Sequence, residues 1–331
     1  MSASCSFSSS LGPAITSYLA LMKALGRRFT GETYILAHLD RFLVARPAGS
    51  CALAAEGFAA WSLTLAHLAP TVRRSRMRIV HNLCLYLRRS DPGCFVPDPS
   101  GFPAPHMPLR PHVFTEGQIV QLLCVAADLR PRSTSPLCAE VFRLAIVLLY
   151  TAGLRRGEVV RLVLSDYDHA ERTLQVRASK FHKSRLVALS KDASREMETY
   201  LQARRRLPHD ADAPLLVNRS GGLRAYSGAS FGHSLSRLFR RADVRTAHGR
   251  FPRVHDLRHT YAIHALLRWY RAGVDVQAKL PALAAAMGHV SIVSTAYYLA
   301  FLEPVAEAAS ERFARHCRHV LDALPNSGGD R

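Results

Sequence analysis

No helix can run through residues 91–111, and that restriction divides the chain. Pro92, Pro97, Pro99, Pro103, Pro105, Pro108 and Pro111 fall within this stretch. Each proline removes a backbone donor and clashes with the preceding turn, so at this density the chain reads as a semi-rigid extended spacer. The sequence therefore predicts a disordered Ser-rich N-terminus over 1–12, a helical domain over 13–91, a proline-rich linker over 92–111 and a second domain over 112–331. At 331 residues the chain is long enough for a core on each side of the linker.

In the first domain, apolar periodicity and Gly, Pro or Ser punctuation predict helices at Ile15–Leu25, Thr33–Ala45, Ala52–Leu68 and Thr71–Arg89. The last of these opens with Arg73, Arg74, Arg76 and Arg78 above an apolar stripe through Leu83 and Leu87. A basic helix start over an apolar face suits tracking of a DNA backbone, and it is equally the pattern of a solvated helix.

Charge narrows the choice of partner. Lys and Arg number 44 against 25 Asp and Glu, a formal net charge of +19. Such an excess favours a polyanion, because neutralising phosphates releases condensed counterions. Arginine dominates the basic set, and its forked donors suit bidentate phosphate contacts. The seven cysteines show no CxxC or Cys/His ligand spacing, which argues against a zinc site or a disulfide scaffold and fits a reducing cytosol. MSASCSFSSS lacks a basic region followed by an apolar core, so no signal peptide is expected, and the apolar stretch 142–154 is too short to cross a bilayer.

Beyond the linker, Thr115 is placed to cap a helix running to about Ala127, with Glu116 in its first turn. A buried helix is predicted over Ala139–Tyr150, ending at Gly153, and an antiparallel hairpin over Thr173–Arg177 and Arg185–Leu189. Further helices follow at Asp192–Arg205, Ser227–Ala242, His255–Ala272, Val276–Met287 and Glu303–Leu324. The expected class is mainly α with a small antiparallel β-sheet, in two domains.

Four short pieces stand out in this second region. They are Thr151-Ala152-Gly153-Leu154-Arg155-Arg156-Gly157-Glu158, Val254-His255-Asp256-Leu257-Arg258-His259-Thr260, Met287-Gly288-His289 and Thr295-Ala296-Tyr297-Tyr298. Singly, each has an ordinary structural explanation: a surface Arg–Glu pair, an arginine at a helix start, a histidine at a helix C-cap, a Tyr-Tyr pair in a core. In this order and at these separations they resemble the tyrosine recombinase (phage integrase) family, over about Phe114 to Leu302.

The resemblance implies a set of roles. Arg155 and Arg258 would clamp a scissile phosphate, His255 would manage the nucleophile's proton, and His289 would hydrogen-bond the phosphate. Tyr298 would be the nucleophile, with Tyr297 as its complication. Glu158 would be a structural partner orienting the site, and His259 would support its helix. Lys180, at the hairpin turn, would protonate the leaving 5′ oxygen, with Lys183 as the alternative; Lys183 and Arg185 are further expected DNA contacts beside Arg73, Arg74 and Arg76. The turn reads Ser179-Lys180-Phe181 where many family members have Gly-Lys-Gly, and Val187-Ala188-Leu189 replaces Val-Pro-Leu. That loosens the match at Lys180, and Met287 is a mild change from the family's Leu. Such chemistry asks for these groups: two fixed guanidiniums offset charge on the non-bridging oxygens, a base accepts the phenolic proton, and an acid supplies the leaving oxygen, with no metal or cofactor.

The family resemblance further implies a C-shaped clamp on double-stranded DNA, built from a helical core-binding domain and the catalytic domain. It implies a homotetramer on paired sites, possible pairing with other recombinases, docking of the segment after Tyr298 on a neighbour, and a cytoplasmic, nucleoid-associated location. The run Val274–Pro281 before Met287-Gly288-His289 resembles integrase-type recombinases of mobile elements. Two alternatives stay open at this point: a DNA-binding relative that has lost catalysis, and a type IB topoisomerase-like relaxing enzyme.

Overall fold

The computed structural model describes residues 6–27, 29–46, 53–104, 110–177, 184–207, 210–218, 223–289 and 291–300, with parts of 310–318. It separates into two compact units, Met1–Leu109 and Arg110–Arg331.

The first unit holds α1 (Gly12–Ala24), α2 (Thr30–Val44), α3 (Ala55–Leu63) and α4 (Pro70–Leu87). Their apolar faces meet around Ile15, Leu36, Leu39, Trp61, Val80 and Leu83, all fully buried. The indole nitrogen of Trp61 donates to His38 Nδ1 at 3.1 Å, so the largest side chain of this core leaves no donor unpaired.

Two expectations for this unit need correction. The Ser-rich start is ordered from residue 6 as described: the amides of Ser8 and Ser9 both donate to the carboxylate of Asp40 on α2, at 2.9 Å, and tie the chain down ahead of α1. The proline-rich stretch is also not a free spacer over its first half. Phe102 is buried, its ring packs 5.9 Å from that of Phe58, and Phe95 and Val96 join the same core. Arg74 donates to the carbonyl of Pro103 at 2.8 Å, and His81 bonds that of Pro97. Prolines forbid a helix there, but the aromatic residues between them still seek burial, and the stretch closes over the bundle.

The second unit comprises α5 (Glu116–Ala127), α6 (Cys138–Thr151), the single turn α7 (Arg156–Val159), α8 (Lys191–Arg204), α9 (Gly228–Arg241), α10 (Val254–Arg271), α11 (Val276–Met287) and α12 (Val293–Ala300). Side-chain caps start several of them. Thr115 accepts from the amide of Gln118, Ser190 from that of Ala193, Ser227 from that of Ser230, and Asp275 from those of Gln277 and Ala278. A three-stranded antiparallel sheet runs in the order β1 (Tyr167–Asp168), β2 (Thr173–Val176), β3 (Arg185–Ala188). Leu174 pairs with Val187 across β2 and β3, and both turn inward. The short strands β1 and the pair β4 (Val217–Asn218) and β5 (Arg224–Ala225) were not expected from the sequence, since two-residue strands carry no alternation to read. Most of the helix predicted at Glu303–Leu324 lies outside the described residues.

α10 organises this unit. It packs against α6, α9, α11 and α12, and it carries the buried residues Leu257, Ala262, Ile263 and Leu266 together with one buried arginine, Arg258. Among the described residues, no helix is long and apolar enough to cross a membrane.

Replacing Phe102 with alanine is expected to destabilise the helical unit by about 3 kcal/mol, the usual cost of emptying a buried phenylalanine site. Urea unfolding followed by Trp61 fluorescence would show the shift; an unchanged midpoint would return residues 92–104 to the status of a spacer.

Candidate active site

One carboxylate gathers three arginines of the second unit. α6 ends at Thr151, and the chain turns through Gly153 at φ 60. A Cβ at Gly153 would collide with the ring of Tyr261, so this left-handed turn needs glycine on two counts. The turn delivers Arg155 to the start of α7 and Glu158 three residues on. Glu158 is only 2% exposed. It accepts from the Arg155 amide and Arg155 Nη1, both at 2.8 Å, and from Arg185 Nη1 and Nη2, both at 3.0 Å. Arg258 Nη1 lies 4.0 Å away. Burial alone would raise the Glu158 pKa, but the hydrogen bonds from Arg185 and Arg155 override it and hold the group at about 2.

The same three arginines share a second anchor. The C-terminal carbonyls of a helix lack intrahelical partners and carry the negative end of its dipole. At the end of α11, Ala286 O accepts from Arg185 Nε at 2.8 Å, Met287 O from Arg258 Nη2 at 2.6 Å, and Gly288 O from Arg155 Nη2 at 2.7 Å. Arg258 Nη1 also donates to Gly153 O at 2.5 Å. Gly288 has φ 66, and a Cβ there would press on the Arg185 guanidinium. Burial lowers the Arg258 pKa to about 10, with repulsion from Arg155 adding to it, and the group stays charged at neutral pH.

Arg185 is thus corrected as a DNA contact. It is 10% exposed, and its three guanidinium nitrogens are committed inside the protein. Its place here was legible only in three dimensions, since Glu158 lies 27 residues earlier.

The histidines and the tyrosine complete the cluster. His255, Arg258 and His259 follow at i, i+3 and i+4 on α10 and so share a face. His259 Nδ1 lies 3.0 Å from Tyr298 Oη. The His255 and His259 rings meet edge-on with centroids 4.6 Å apart. The His289 ring stacks near-parallel to Tyr298 at 6.4 Å, and its Nδ1 bonds Thr295 Oγ1 at 2.7 Å. Tyr298 itself is 3% exposed.

All three histidines have depressed pKa values. Burial and then His255, Arg253 and Arg258 push His259 to about 3. Burial and then Arg258 and Arg155 push His289 to about 4. His255 also falls to about 4, through desolvation and then Arg258. At neutral pH the imidazoles are uncharged, able to accept one hydrogen bond and donate another.

Of the residues expected from the sequence, Arg155, Glu158, His255, Arg258, His289 and Tyr298 come together here. Lys180 and Lys183 lie outside the described residues, as does the side chain of Tyr297. Arg73, Arg74 and Arg76 belong to the helical unit, where Arg74 is tied to Pro103 and all three are partly buried. The residue that sequence reasoning undervalued is His259: its i+4 spacing from His255 was the available signal. A cavity of about 560 Å³ at the other end of α6, beside Cys138 and Phe142, contains none of these residues. Among the described residues, no group of His, Cys, Asp and Glu is arranged to hold a metal ion.

Replacing Glu158 with glutamine leaves three buried or half-buried guanidiniums without their anion and is expected to cost about 3 kcal/mol of stability at pH 7. Because the folded pKa is depressed, the wild-type advantage is full above about pH 4.5 and closes as the pH falls through about 2. Denaturant melts of the two proteins across that range measure the gap.

The model of the phage integrase family matches residues 112–303. A protein of Sinorhizobium fredii (strain NBRC 101917 / NGR234) named integrase/recombinase y4rB is 30% identical over 309 residues, 91% of this chain and 96% of its own length. The tyrosine recombinase XerA of Thermococcus kodakarensis is 28% identical over 188 residues, 57% of each chain. The solved structure of the Tn1549 transposon integrase in complex with a circular intermediate DNA shares the fold, with TM-score 0.62 at 19% identity over 91% of this chain and 99% of that one. The chain therefore belongs to the phage integrase family and is a site-specific DNA recombinase of the tyrosine type.

Proposed function

We propose that Tyr298 cleaves duplex DNA by direct attack on a backbone phosphodiester. Its Oη forms a bond to phosphorus, the bond from phosphorus to the 5′ oxygen breaks, and the DNA is left with a 3′-phosphotyrosyl link and a free 5′ hydroxyl. A 5′ hydroxyl from a partner strand then reverses the step, so bond energy is conserved without a nucleotide cofactor. Arg155 and Arg258 face the phosphate and offset charge on its non-bridging oxygens, and His289 donates a hydrogen bond to it. Lys180 supplies the proton to the leaving oxygen. Glu158 and Arg185 position the two arginines.

The observation that carries this reading is the convergence of Arg155, Arg258, His289 and Tyr298 on the end of α11, through Gly288 O, Met287 O and the Thr295–Tyr298 segment. Guanidiniums already held by internal acceptors need little reorganisation when the phosphate gains charge, which is where electrostatic catalysis is most effective. The net charge of +19 supplies the attraction for DNA.

The biological reading is integration or transposition of a mobile element, acting on DNA in the cytoplasm, with both units engaging the duplex and four protomers assembling on two sites. It is supported by the run Val274–Pro281 and by the named relatives, one an integrase/recombinase and one a transposon integrase.

Purified protein mixed with nicked duplex from the ends flanking its own gene is expected to form a detergent-stable adduct, with the nucleotide on Tyr298 by mass spectrometry. Tyr298→Phe should bind the same DNA and give no adduct. An adduct on Tyr297 would move the nucleophile by one residue. Relaxation of any supercoiled DNA by a monomer, with no exchange between paired sites, would favour a topoisomerase instead.

A further inference from the structure

Tyr298 Oη is the attacking atom of the proposed reaction, and beside it lies a histidine that the sequence assigns only to supporting its helix. His259 Nδ1 stands 3.0 Å from that oxygen. His289, the other imidazole against the tyrosine, lies along the ring face, and its Nδ1 is engaged by Thr295 Oγ1 rather than by the phenol. His255 touches the edge of His259 and opens on solvent. Geometry therefore orders the α10 histidines: His259 at the nucleophile, His255 behind it toward water.

We infer that His259, one turn beyond His255 on α10, is the general base of the reaction, taking the Tyr298 proton directly onto Nδ1.

As Tyr298 Oη bonds to phosphorus, its proton passes to Nδ1, the imidazole becomes imidazolium, and the departing 5′ oxygen takes a proton from a separate acid. In the reverse step Nδ1 returns the proton to the phenol as the phosphotyrosyl bond breaks. Charge is balanced throughout, and no oxidant, metal or nucleotide enters. The reaction requires the tautomer with the proton on Nε2, since Nδ1 must present its lone pair to the phenol.

The surroundings fit a base that lends its lone pair briefly. The groups facing His259 are His255, Arg253, Arg258, His289 and Tyr298, mostly cationic or neutral, and with burial they disfavour imidazolium. In the free protein the proton therefore stays on the phenol. Arriving phosphate brings negative charge to the same cluster and makes transfer less unfavourable, so deprotonation is tied to substrate. A base that held the proton strongly would stall the reverse step; this one is built to give it back.

The inference rests on Tyr298 being the nucleophile, and the test separates the two. Single-turnover cleavage would be measured on a nicked substrate with an ordinary 5′ oxygen and on its twin with a bridging 5′ sulfur, which leaves without needing a proton. His259→Asn places an amide oxygen near the position of Nδ1, keeping a hydrogen-bond acceptor that cannot take the proton. It is expected to bind DNA normally and to cleave about a hundredfold more slowly, the usual reach of general base catalysis. The defect should persist on the sulfur substrate, and replacing Tyr298 by a more acidic fluorotyrosine should recover much of it. Cleavage within threefold of wild type, or full recovery on the sulfur substrate, would overturn the assignment, the second outcome making His259 a proton donor to the leaving group. If His259→Asn fails to fold, the solvent isotope effect on cleavage by the wild-type chain decides instead: it should shrink when fluorotyrosine stands at 298, and a constant value counts against His259. Cleavage by Tyr298→Phe would sink the nucleophile assignment itself, whatever His259 does.

Discussion

The arrangement of the cluster depends on one buried ionic contact. Glu158 is almost fully buried, and it balances Arg155, Arg185 and Arg258 in a space where uncompensated positive charge would repel. A buried carboxylate alone is a poor stability device, because desolvation offsets much of what pairing gains. Its value here is positional. Glu158 takes a two-pronged guanidinium contact from Arg185, and from Arg155 one backbone amide bond and one guanidinium bond, which fixes where both arginines sit. The carbonyls of Ala286, Met287 and Gly288 then receive one arginine each. Anion and helix terminus together fix all three cations.

That division separates the permanent charge of the site from its movable protons. The arginines stay cationic, and Arg258 keeps its proton even with its pKa lowered to about 10. The same field, added to burial, discharges the histidines, which become neutral hydrogen-bonding groups beside Tyr298. Fixed cations and neutral imidazoles able to exchange a proton thus stand side by side in one cluster.

Much of this was readable in the sequence, because the family's motifs are local. Gly153 and Arg155, His255 and Arg258, and Gly288 and His289 each lie within a few residues, where helix ends and i, i+3 spacing express themselves directly. Helix boundaries followed from caps, as at Thr115 and Ser227. What stayed hidden depended on contacts between distant segments. Arg185 looked like a DNA contact because a basic residue beside a hairpin turn normally faces solvent; only the packing of β3 on α11 turns it toward Glu158. His259 looked structural because its partner lies 39 residues away. The proline-rich stretch was legible as non-helical but not as packed, since proline states what the backbone cannot do and says nothing of where Phe95 and Phe102 are buried.

The short segment from Ala286 to Tyr298 links the two halves of the cluster. Its first residues supply the carbonyls that anchor all three arginines, Gly288 makes the left-handed turn, His289 follows, and Thr295 and Tyr298 close back onto His289 and His259. A shift of this segment would move the three arginines and Tyr298 together, because both are tied to it. Gly288 is where that coupling is tightest: it needs its positive φ, and a side chain there would push against Arg185 and through it against Glu158. The end of one helix thus serves as the common reference for the arginines and for Tyr298, so the two stay in register without a separate fastening for each.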